Sequence, residues 1–350
     1  MAPMRLRQMV LQLVTGTVTL ALLVALSMPA VRALRATSAA HEVTPARAHT
    51  PAPAAHPRRT FGIYVDPWHA DDWARGVGAS PQALATFEAF SRGRTLEKFQ
   101  AEAARRGVRR ILVSWEPWAP VPSALGVQAQ AAPQPGLRNI DIARGAQDRY
   151  ITAFARSLAR FPGTVYLRYA HEMNGYWYPW SRDAAAYRWA WRRVVRLFRT
   201  VGAHNVKFVW SANANLYEPA RTWRAGLRRY CPGRRYVDLV GTTAINFGGN
   251  KEYPVRRFAP RLRELHRRYG KPLVLTETNT AAAGAALWLR DLRTMLARMP
   301  WVRGVYWSQL PSRGKAQQSG TGTLDWDVRD DPEASAELAA LIREGAAGRR

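Results

Sequence analysis

Apolar and polar positions along this chain follow two different periods. Short apolar runs rich in β-branched and aromatic residues, each bounded by turn residues, predict buried strands. Seven such strands are predicted: Phe61–Val65, Arg110–Trp115, Thr164–Ala170, Asn205–Ser211, Val237–Ile245, Pro272–Thr276 and Val302–Trp307. Stretches with apolar residues three and four positions apart predict amphipathic helices. These helices are Leu96–Arg106, Gln147–Phe161, one capped by Asp183, and two near 255–269 and 285–299.

The alternation of strand and helix predicts an α/β fold with a parallel sheet. A folded part of this length suits a closed (β/α)8 TIM barrel, which typically takes about 250 residues. The pattern gives seven strands, so we expect the eighth within 66–109 or 119–146. An open, doubly wound sheet remains the alternative.

The N-terminal segment has the pattern of an export signal. Arg5 and Arg7 precede a largely apolar run, Met9–Val31, which predicts a signal peptide. The small-residue pattern Val31-Arg32-Ala33 suits cleavage, while an apolar length of about 20 residues also suits an uncleaved membrane anchor. Both alternatives predict a protein that is secreted or periplasmic, either free or anchored by this segment.

Composition divides the chain into three predicted parts. Residues 1–33 form the signal peptide or N-terminal membrane anchor, and residues 34–59, rich in Ala and Pro, form a linker. Residues 60–350 form the folded domain.

The charge of the chain is strongly positive, with 52 Lys and Arg against 25 Asp and Glu and a formal net charge of +27. Such an excess can indicate nucleic acid, an anionic membrane or an acidic polymer as partner. Because the arginines are dispersed and the sequence contains no nucleic-acid motif, we expect a solvated basic surface and no nucleic-acid partner. We also expect a monomer.

Several kinds of chemistry have no sequence signal. The single cysteine, Cys231, cannot form an intrachain disulfide and lacks the neighbours of a zinc site. The sequence has no phosphate-binding loop, metal-ligand cluster or Ser-His-Asp signature. We therefore expect neither a metal nor a cofactor.

Two carboxylates stand where a barrel enzyme carries its catalytic groups, just past the C-terminal ends of strands. Glu172 and Glu277 each follow an otherwise apolar strand. A charge there is costly unless it is exposed in a cleft or paired. A converging pair would suit retaining glycoside hydrolysis, which needs two carboxyl groups about 5–5.5 Å apart. The alternative is that each glutamate is the structural partner of an arginine.

Four aromatic rings follow Glu172 within the five residues Tyr176–Trp180. Asn174-Gly175 marks a turn, and Pro179 interrupts regular structure. Rings of this density beside an acid predict the wall of a sugar-binding cleft, because several exposed rings are expensive unless a ligand covers them. The alternative is that the rings pack into the core.

The segment from His171 to Trp180 resembles the acid/base signature of glycoside hydrolase family 26, which is best known for endo-β-1,4-mannanases. The resemblance extends over residues 61–330 and includes four further segments: Gly145–Ile151, Asn205–Asn213, Tyr236–Gly241 and Thr276–Thr278. It implies a (β/α)8 barrel with paired glutamates at strands four and seven. By position, Glu172 would be the general acid/base and Glu277 the nucleophile.

The resemblance and the strand-end positions together predict a set of substrate-binding residues. His171 and Asn174 would be polar contacts, while Trp180 and Trp307 would be sugar platforms. The full set is His171, Asn174, Trp177, Trp180, Asn246 and Trp307.

Two departures from the family pattern bear on function. Ile245 stands where the family commonly has a tyrosine that orients the nucleophile, and isoleucine cannot donate a hydrogen bond. Thr278-Asn279 follows Glu277 where a glycine is usual. Three functions are therefore considered. The first is a retaining hydrolase of a β-linked polysaccharide, in particular β-1,4-mannan. The others are a glycan-binding protein with a degenerate site, and a hydrolase of the cell's own exopolysaccharide.

Overall fold

The computed structural model describes residues 58–90, 95–119, 129, 131–214, 216–248, 253–280, 284–309 and 326–347. Within these ranges, eight parallel strands pair in chain order and close into a barrel. The strands are β1 Thr60–Tyr64, β2 Ala83–Ala89, β3 Arg110–Glu116, β4 Thr164–Tyr169, β5 Val206–Asn213, β6 Leu239–Asn246, β7 Leu273–Thr280 and β8 Val302–Ser308. Because β1 pairs with β8, the predicted TIM barrel is confirmed and the open sheet is wrong.

Helices lie between the strands. They are α1 Ala70–Val77, α2 Thr95–Arg105, α3 Asn139–Arg144, α4 Asp148–Ala159, α5 Ala184–Val201, α6 Ala220–Tyr230, α7 Ala259–Tyr269, α8 Ala285–Ala297 and α9 Pro332–Ala347. The predicted cap of α5 is confirmed, since the Asp183 side chain accepts hydrogen bonds from the backbone of Ala185 and Ala186. The sequence pattern did not predict α6, whose buried residues are only Trp223, Leu227 and Tyr230.

The eighth strand, β2, lies in the first of the two predicted regions. It is rich in alanine, a residue depleted in strands, which explains why its pattern was not recognised. Ala83 and Ala85 face the barrel interior, where they pack with Tyr64 and Tyr306. Small side chains on β2 therefore leave room for the two tyrosine rings.

The chain enters the barrel through Arg59, which is 7% exposed. Its guanidinium donates to the backbone oxygens of Val302 and Leu296, both at 3.0 Å. The folded domain therefore includes Arg59, one residue before the predicted boundary. The predictions for residues 1–33 and 34–57 lie outside the described residues. In the part of the chain that the structure describes, no helix combines the length and apolar character needed to cross a membrane.

Gly62 allows Tyr306 to fill the barrel interior, since a Cβ at this position would lie 2.3 Å from Cε1 of that ring. We predict that Gly62→Ala lowers the free energy of unfolding by about 1–3 kcal/mol through overpacking. The matched control is Gly226→Ala in α6, where an added Cβ meets nothing within 4 Å. This control should be neutral or stabilising by about 0.5–1 kcal/mol.

Chemical unfolding of both variants, followed by circular dichroism, measures the difference. A Gly62→Ala protein that unfolds at the same denaturant concentration as the wild type would contradict the close approach of Tyr306.

Candidate active site

Arg168 lies at the centre of the barrel, and its side chain is fully buried. Its guanidinium donates to the hydroxyls of Ser211 at 3.1 Å, Ser114 at 3.1 Å and Thr243 at 2.7 Å. It also donates to Oε2 of Glu277 at 3.0 Å. These four acceptors come from four strands other than its own, as a buried cation requires.

Both predicted carboxylates contact this one guanidinium. Nη1 of Arg168 lies 3.0 Å from Oε2 of Glu277, and Nη2 lies 3.8 Å from Oε1 of Glu172. The glutamate side chains are 13% and 9% exposed, respectively. The structure therefore brings the two acids together on a shared cation, at the C-terminal end of the barrel.

The ionisation of Glu277 is set by opposing effects. Burial raises its pKa above the ordinary value of 4.5, the charge of Arg168 lowers it, and the charge of Glu172 raises it, with a net upward shift. The Ser308 hydroxyl lies 3.4 Å from Oε1 of Glu277 and donates to it. An unpaired carboxylate in this position would be strongly disfavoured, so Arg168 is what allows Glu277 to carry a charge.

A bulge in β7 directs Glu277 into the barrel. Thr242 pairs with Leu275, but the next residue, Thr243, pairs with Glu277. The extra residue, Thr276, also reaches the interior, where its hydroxyl lies 2.7 Å from that of Ser211. Bulges of this kind re-aim a side chain, and the sequence carried no signal for it.

The backbone before the acid/base candidate is strained. Ala170 and Glu172 have φ angles of 42° and 52°, in the left-handed region that costs non-glycine residues on the order of 1–3 kcal/mol. Backbone hydrogen bonds to the flanking strands hold the segment: Ala170 donates to Trp115 at 2.9 Å and Glu172 to Ser211 at 2.8 Å. This left-handed backbone conformation directs the Glu172 side chain toward Arg168.

His171 is a buried, neutral imidazole. Burial, followed by the charge of Arg168, lowers its pKa well below the ordinary value of 6.5. Its Nε2 lies 3.1 Å from the Tyr178 hydroxyl and 4.0 Å from Oε1 of Glu116. Glu116 is a third carboxylate of the site, and its side chain also accepts a hydrogen bond from Nε1 of Trp118 at 3.2 Å. The predicted residue set omitted Glu116, although its position at the end of β3 was a usable signal.

The turn after Glu172 brings one indole back onto the carboxylate. Nε1 of Trp177 donates to Oε2 of Glu172 at 2.9 Å. Gly175 permits this approach, because a Cβ there would lie 2.5 Å from Cζ2 of Trp177. The prediction that Trp177 lies at the site is consistent with this geometry, and its indole orients the acid.

Asn174 joins two loops. Its side chain donates to the backbone oxygen of Asn213 at 2.9 Å and accepts from the backbone nitrogen of the same residue at 2.8 Å. Asn246 is similarly occupied: it donates to the Thr280 hydroxyl at 2.9 Å and accepts from the Tyr253 backbone at 2.6 Å. Both of these predicted substrate-binding residues therefore use their amides to support the loops.

The structure corrects the prediction of Trp180 and Trp307 as sugar platforms, because they are 2% and 0% exposed. Trp180 stacks on Tyr178 with ring centroids 4.3 Å apart. Trp307 stands between Tyr306, which packs inside the barrel, and Ser308, which contacts Glu277. Because side chains alternate along a strand, Trp307 points outward into the core beneath the helices.

Ile245, which the sequence analysis interpreted as a departure from the family pattern, is 8% exposed. It offers no hydrogen bond, but the Glu277 carboxylate already accepts from Arg168 and Ser308. Among the described residues, no group of three or more His, Cys, Asp or Glu side chains is arranged to hold a metal ion.

Comparison with known proteins agrees with the resemblance. Residues 148–254 match the family described as glycosyl hydrolase family 26. The chain is 25% identical over 263 residues to Endoglucanase H from Acetivibrio thermocellus, a match that covers 70% of this chain and 25% of that protein. The chain thus spans about a quarter of the length of this curated relative.

Solved structures share the fold. A GH26 β-mannanase from Bacteroides ovatus is 17% identical, with a TM-score of 0.57 over 82% of this chain and 89% of that one. A structure of fungal β-1,4-galactanases is 11% identical, with a TM-score of 0.59 over 81% of this chain and 99% of that one. At these identities the likeness shows the barrel fold alone.

Asn174 gives a test of the loop connection. We predict that Asn174→Ala lowers the free energy of unfolding by about 1–3 kcal/mol, because it removes the two hydrogen bonds between the Asn174 side chain and the Asn213 backbone. Asn174→Asp should cost more, since a carboxylate oxygen would then face the Asn213 carbonyl. Urea unfolding followed by tryptophan fluorescence measures both.

The control is Asn205→Ala at the opposite end of the barrel. Nδ2 of Asn205 donates to the backbone oxygens of Leu158, Phe161 and Gly163. It should destabilise to a similar extent while leaving the rate of glycoside hydrolysis per folded molecule intact, whereas Asn174→Ala should also lower that rate. An Asn174→Ala protein as stable as the wild type would refute the connection.

Proposed function

Because the motifs and matches assign the chain to glycoside hydrolase family 26, we propose that it is a retaining hydrolase of a β-linked polysaccharide, with β-1,4-mannan as the substrate. The observation that carries the proposal is the contact of Glu172 and Glu277 with the single guanidinium of Arg168. Two carboxyl groups held close together suit the double displacement of retaining enzymes.

In the first step, the ionised carboxylate of Glu277 attacks the anomeric carbon. The bond from that carbon to the glycosidic oxygen breaks, and protonated Glu172 gives its proton to the departing oxygen. In the second step, the Glu172 carboxylate takes a proton from water, whose oxygen attacks the anomeric carbon and releases Glu277. Two inversions return the sugar with its original configuration.

Arg168 balances the negative charge of the two carboxyl groups at each stage of this cycle. In the resting pair the negative charge is on Glu277. In the glycosyl-enzyme, Glu277 is a neutral ester and the charge has moved to Glu172, which has lost its proton. The pair carries one negative charge throughout. The shared guanidinium lies 3.0 Å from a carboxyl oxygen of Glu277 and 3.8 Å from one of Glu172. Such a fixed cation needs no reorganisation between the two steps.

The choice of mannan rests on the motif resemblance and on a β-mannanase with this fold. A relative named for endoglucanase activity and galactanases with the same barrel make β-glucan and β-galactan the competing substrates. We also propose that the protein acts outside the cytoplasm as a monomer without a nucleic-acid partner, on the strength of its N-terminal pattern and its dispersed arginines.

Ile245 favours a second candidate, a glycan-binding protein that has lost catalysis, because it removes the family's usual donor to the nucleophile. Affinity electrophoresis in gels containing mannan, β-glucan or β-galactan, set beside a reducing-sugar assay, separates the two functions. Retardation without release of sugar would favour binding alone.

The net charge of +27 favours a third candidate, a hydrolase of an anionic exopolysaccharide. Activity on neutral mannan without activity on acidic glycans would count against it.

Azide provides the test of the catalytic roles. We predict that Glu277→Ala abolishes hydrolysis and that azide restores cleavage of an activated aryl β-glycoside, giving an α-glycosyl azide because azide attacks from the vacated face. Glu172→Ala should reduce cleavage of poor leaving groups by about 10²–10⁴-fold, and azide should then give a β-glycosyl azide. Product configuration is read by NMR.

The control for both variants is Glu333→Ala, which removes a carboxylate whose side chain is 67% exposed and should leave turnover unchanged. Undiminished turnover of Glu277→Ala would contradict the assignment. Glycosyl azides of the same configuration from both variants would also contradict it.

A further inference from the structure

Exposed aromatic rings are concentrated at one end of the barrel. Within the described residues, four aromatic side chains are more than half exposed: Trp68 at 52%, Tyr176 at 70%, Trp189 at 52% and Tyr217 at 60%. Trp68, Tyr176 and Tyr217 follow β1, β4 and β5, so they lie at the catalytic end, while Trp189 lies on α5. Open rings beside a cleft leave apolar area that a ligand can cover.

Tyr176 is joined directly to the acid/base candidate. Its ring packs edge-on against Trp177 with centroids 5.2 Å apart, and Trp177 donates to Glu172 at 2.9 Å. Only Trp177 therefore stands between this exposed ring and the carboxyl group that would protonate the glycosidic oxygen.

Tyr217 lies on the next loop, the one after β5. The two hydrogen bonds between Asn174 and Asn213 tie the loop after β5 to the loop after β4. Burial of the hydroxyl, followed by the charges of Tyr176 and Glu172, raises the pKa of Tyr217. The open ring of Tyr217 therefore stands on the loop that is tied to the one carrying Glu172 and Tyr176.

A groove lies beside Tyr176, and neither Glu172 nor Glu277 is among its lining residues. It has a volume of about 890 Å³ and is lined by Ala131–Pro133, Gly175, Tyr176, Ser181 and Arg182. Ligand pockets span about 300–1,000 Å³, so the groove can hold sugar units. Its lining combines small apolar side chains with the donors of Arg182, which suits a pyranose with one apolar face and several hydroxyls.

We propose that Tyr176 and Tyr217 form subsites for the leaving-group part of the glycan, and that the groove beside Tyr176 receives its continuation. The inference rests on the proposed function, since it takes Glu172 as the group that protonates the departing oxygen. The sugar bonded to that oxygen must lie on the Glu172 side of the cleft, where Tyr176 packs on Trp177 and where the Asn174–Asn213 hydrogen bonds tie in the loop of Tyr217. The ligand is an uncharged, β-linked pyranose chain.

The proposal separates two kinds of substrate. The leaving group of a polysaccharide is a sugar chain, which would contact both tyrosines. The leaving group of an activated aryl β-glycoside is a phenol, which needs no such contact. Binding energy from a remote part of a substrate contributes to kcat/KM only when that part is present. The quantity to measure is therefore the ratio of kcat/KM on the polymer to kcat/KM on the aryl glycoside.

The experiment compares Tyr176→Ala, Tyr217→Ala and the double variant with the wild type on β-mannan and on a nitrophenyl β-mannoside. Each single change should lower the ratio about three- to tenfold, as expected for loss of one aromatic contact. Tyr176→Phe and Tyr217→Phe retain the rings and should keep most of the ratio. Trp189→Ala, an equally open ring on a helix, is the matched control and should leave the ratio unchanged.

An unchanged ratio in both alanine variants would overturn the inference, and so would an equal fall on the two substrates, because the rings would then act on the catalytic pair instead of the leaving group. Wild-type protein that is inactive on polysaccharides and aryl glycosides alike would overturn the proposed function, and the inference with it. These results are distinguishable because the first two leave an active wild type.

Discussion

A single buried guanidinium dictates the organisation of this barrel. Arg168 has no access to solvent, so every polar group around it must compensate for the loss of water. Hydroxyls from β3, β5 and β6 accept three of its hydrogen bonds, and two glutamates supply the opposite charge. In the proposed cycle, one positive charge faces one negative charge that moves between two carboxyl groups. The site therefore avoids an unpaired charge at either stage.

The arrangement also explains how the site accommodates Ile245. A nucleophile needs to be ionised and held in one orientation, and Arg168 together with Ser308 contacts both oxygens of Glu277. The bulge at Thr276 and the left-handed backbone at Ala170 and Glu172 are local costs of this geometry. A closed barrel can bear these costs, because hydrogen bonds from neighbouring strands fix the segments on both sides.

The sequence predicted most of the barrel because seven of its strands are apolar runs bounded by turns, and strand ends indicated where acids would meet. Other features depended on information that a linear pattern does not carry. Alanines in β2 reveal a strand only once the Tyr306 ring that they accommodate is known. Trp307 was misassigned because the sequence does not show that its neighbours, Tyr306 and Ser308, point inward. Their direction makes Trp307 point outward. The exposure of Tyr217 arises from loop packing, so it was not foreseen.

The central claim is that Glu277, charged by virtue of Arg168, is the nucleophile. The most direct test is the rate at which a 2-deoxy-2-fluoroglycosyl fluoride inactivates the wild-type protein at different pH values, combined with mass spectrometry of the labelled peptide. The account predicts one fluorosugar per chain, attached to Glu277. It also predicts an inactivation rate that falls, on acidification, through a pKa above the ordinary glutamate value of 4.5, because only the ionised carboxylate attacks. A label on another residue, or a rate that holds until the pH is below that ordinary value, would contradict it.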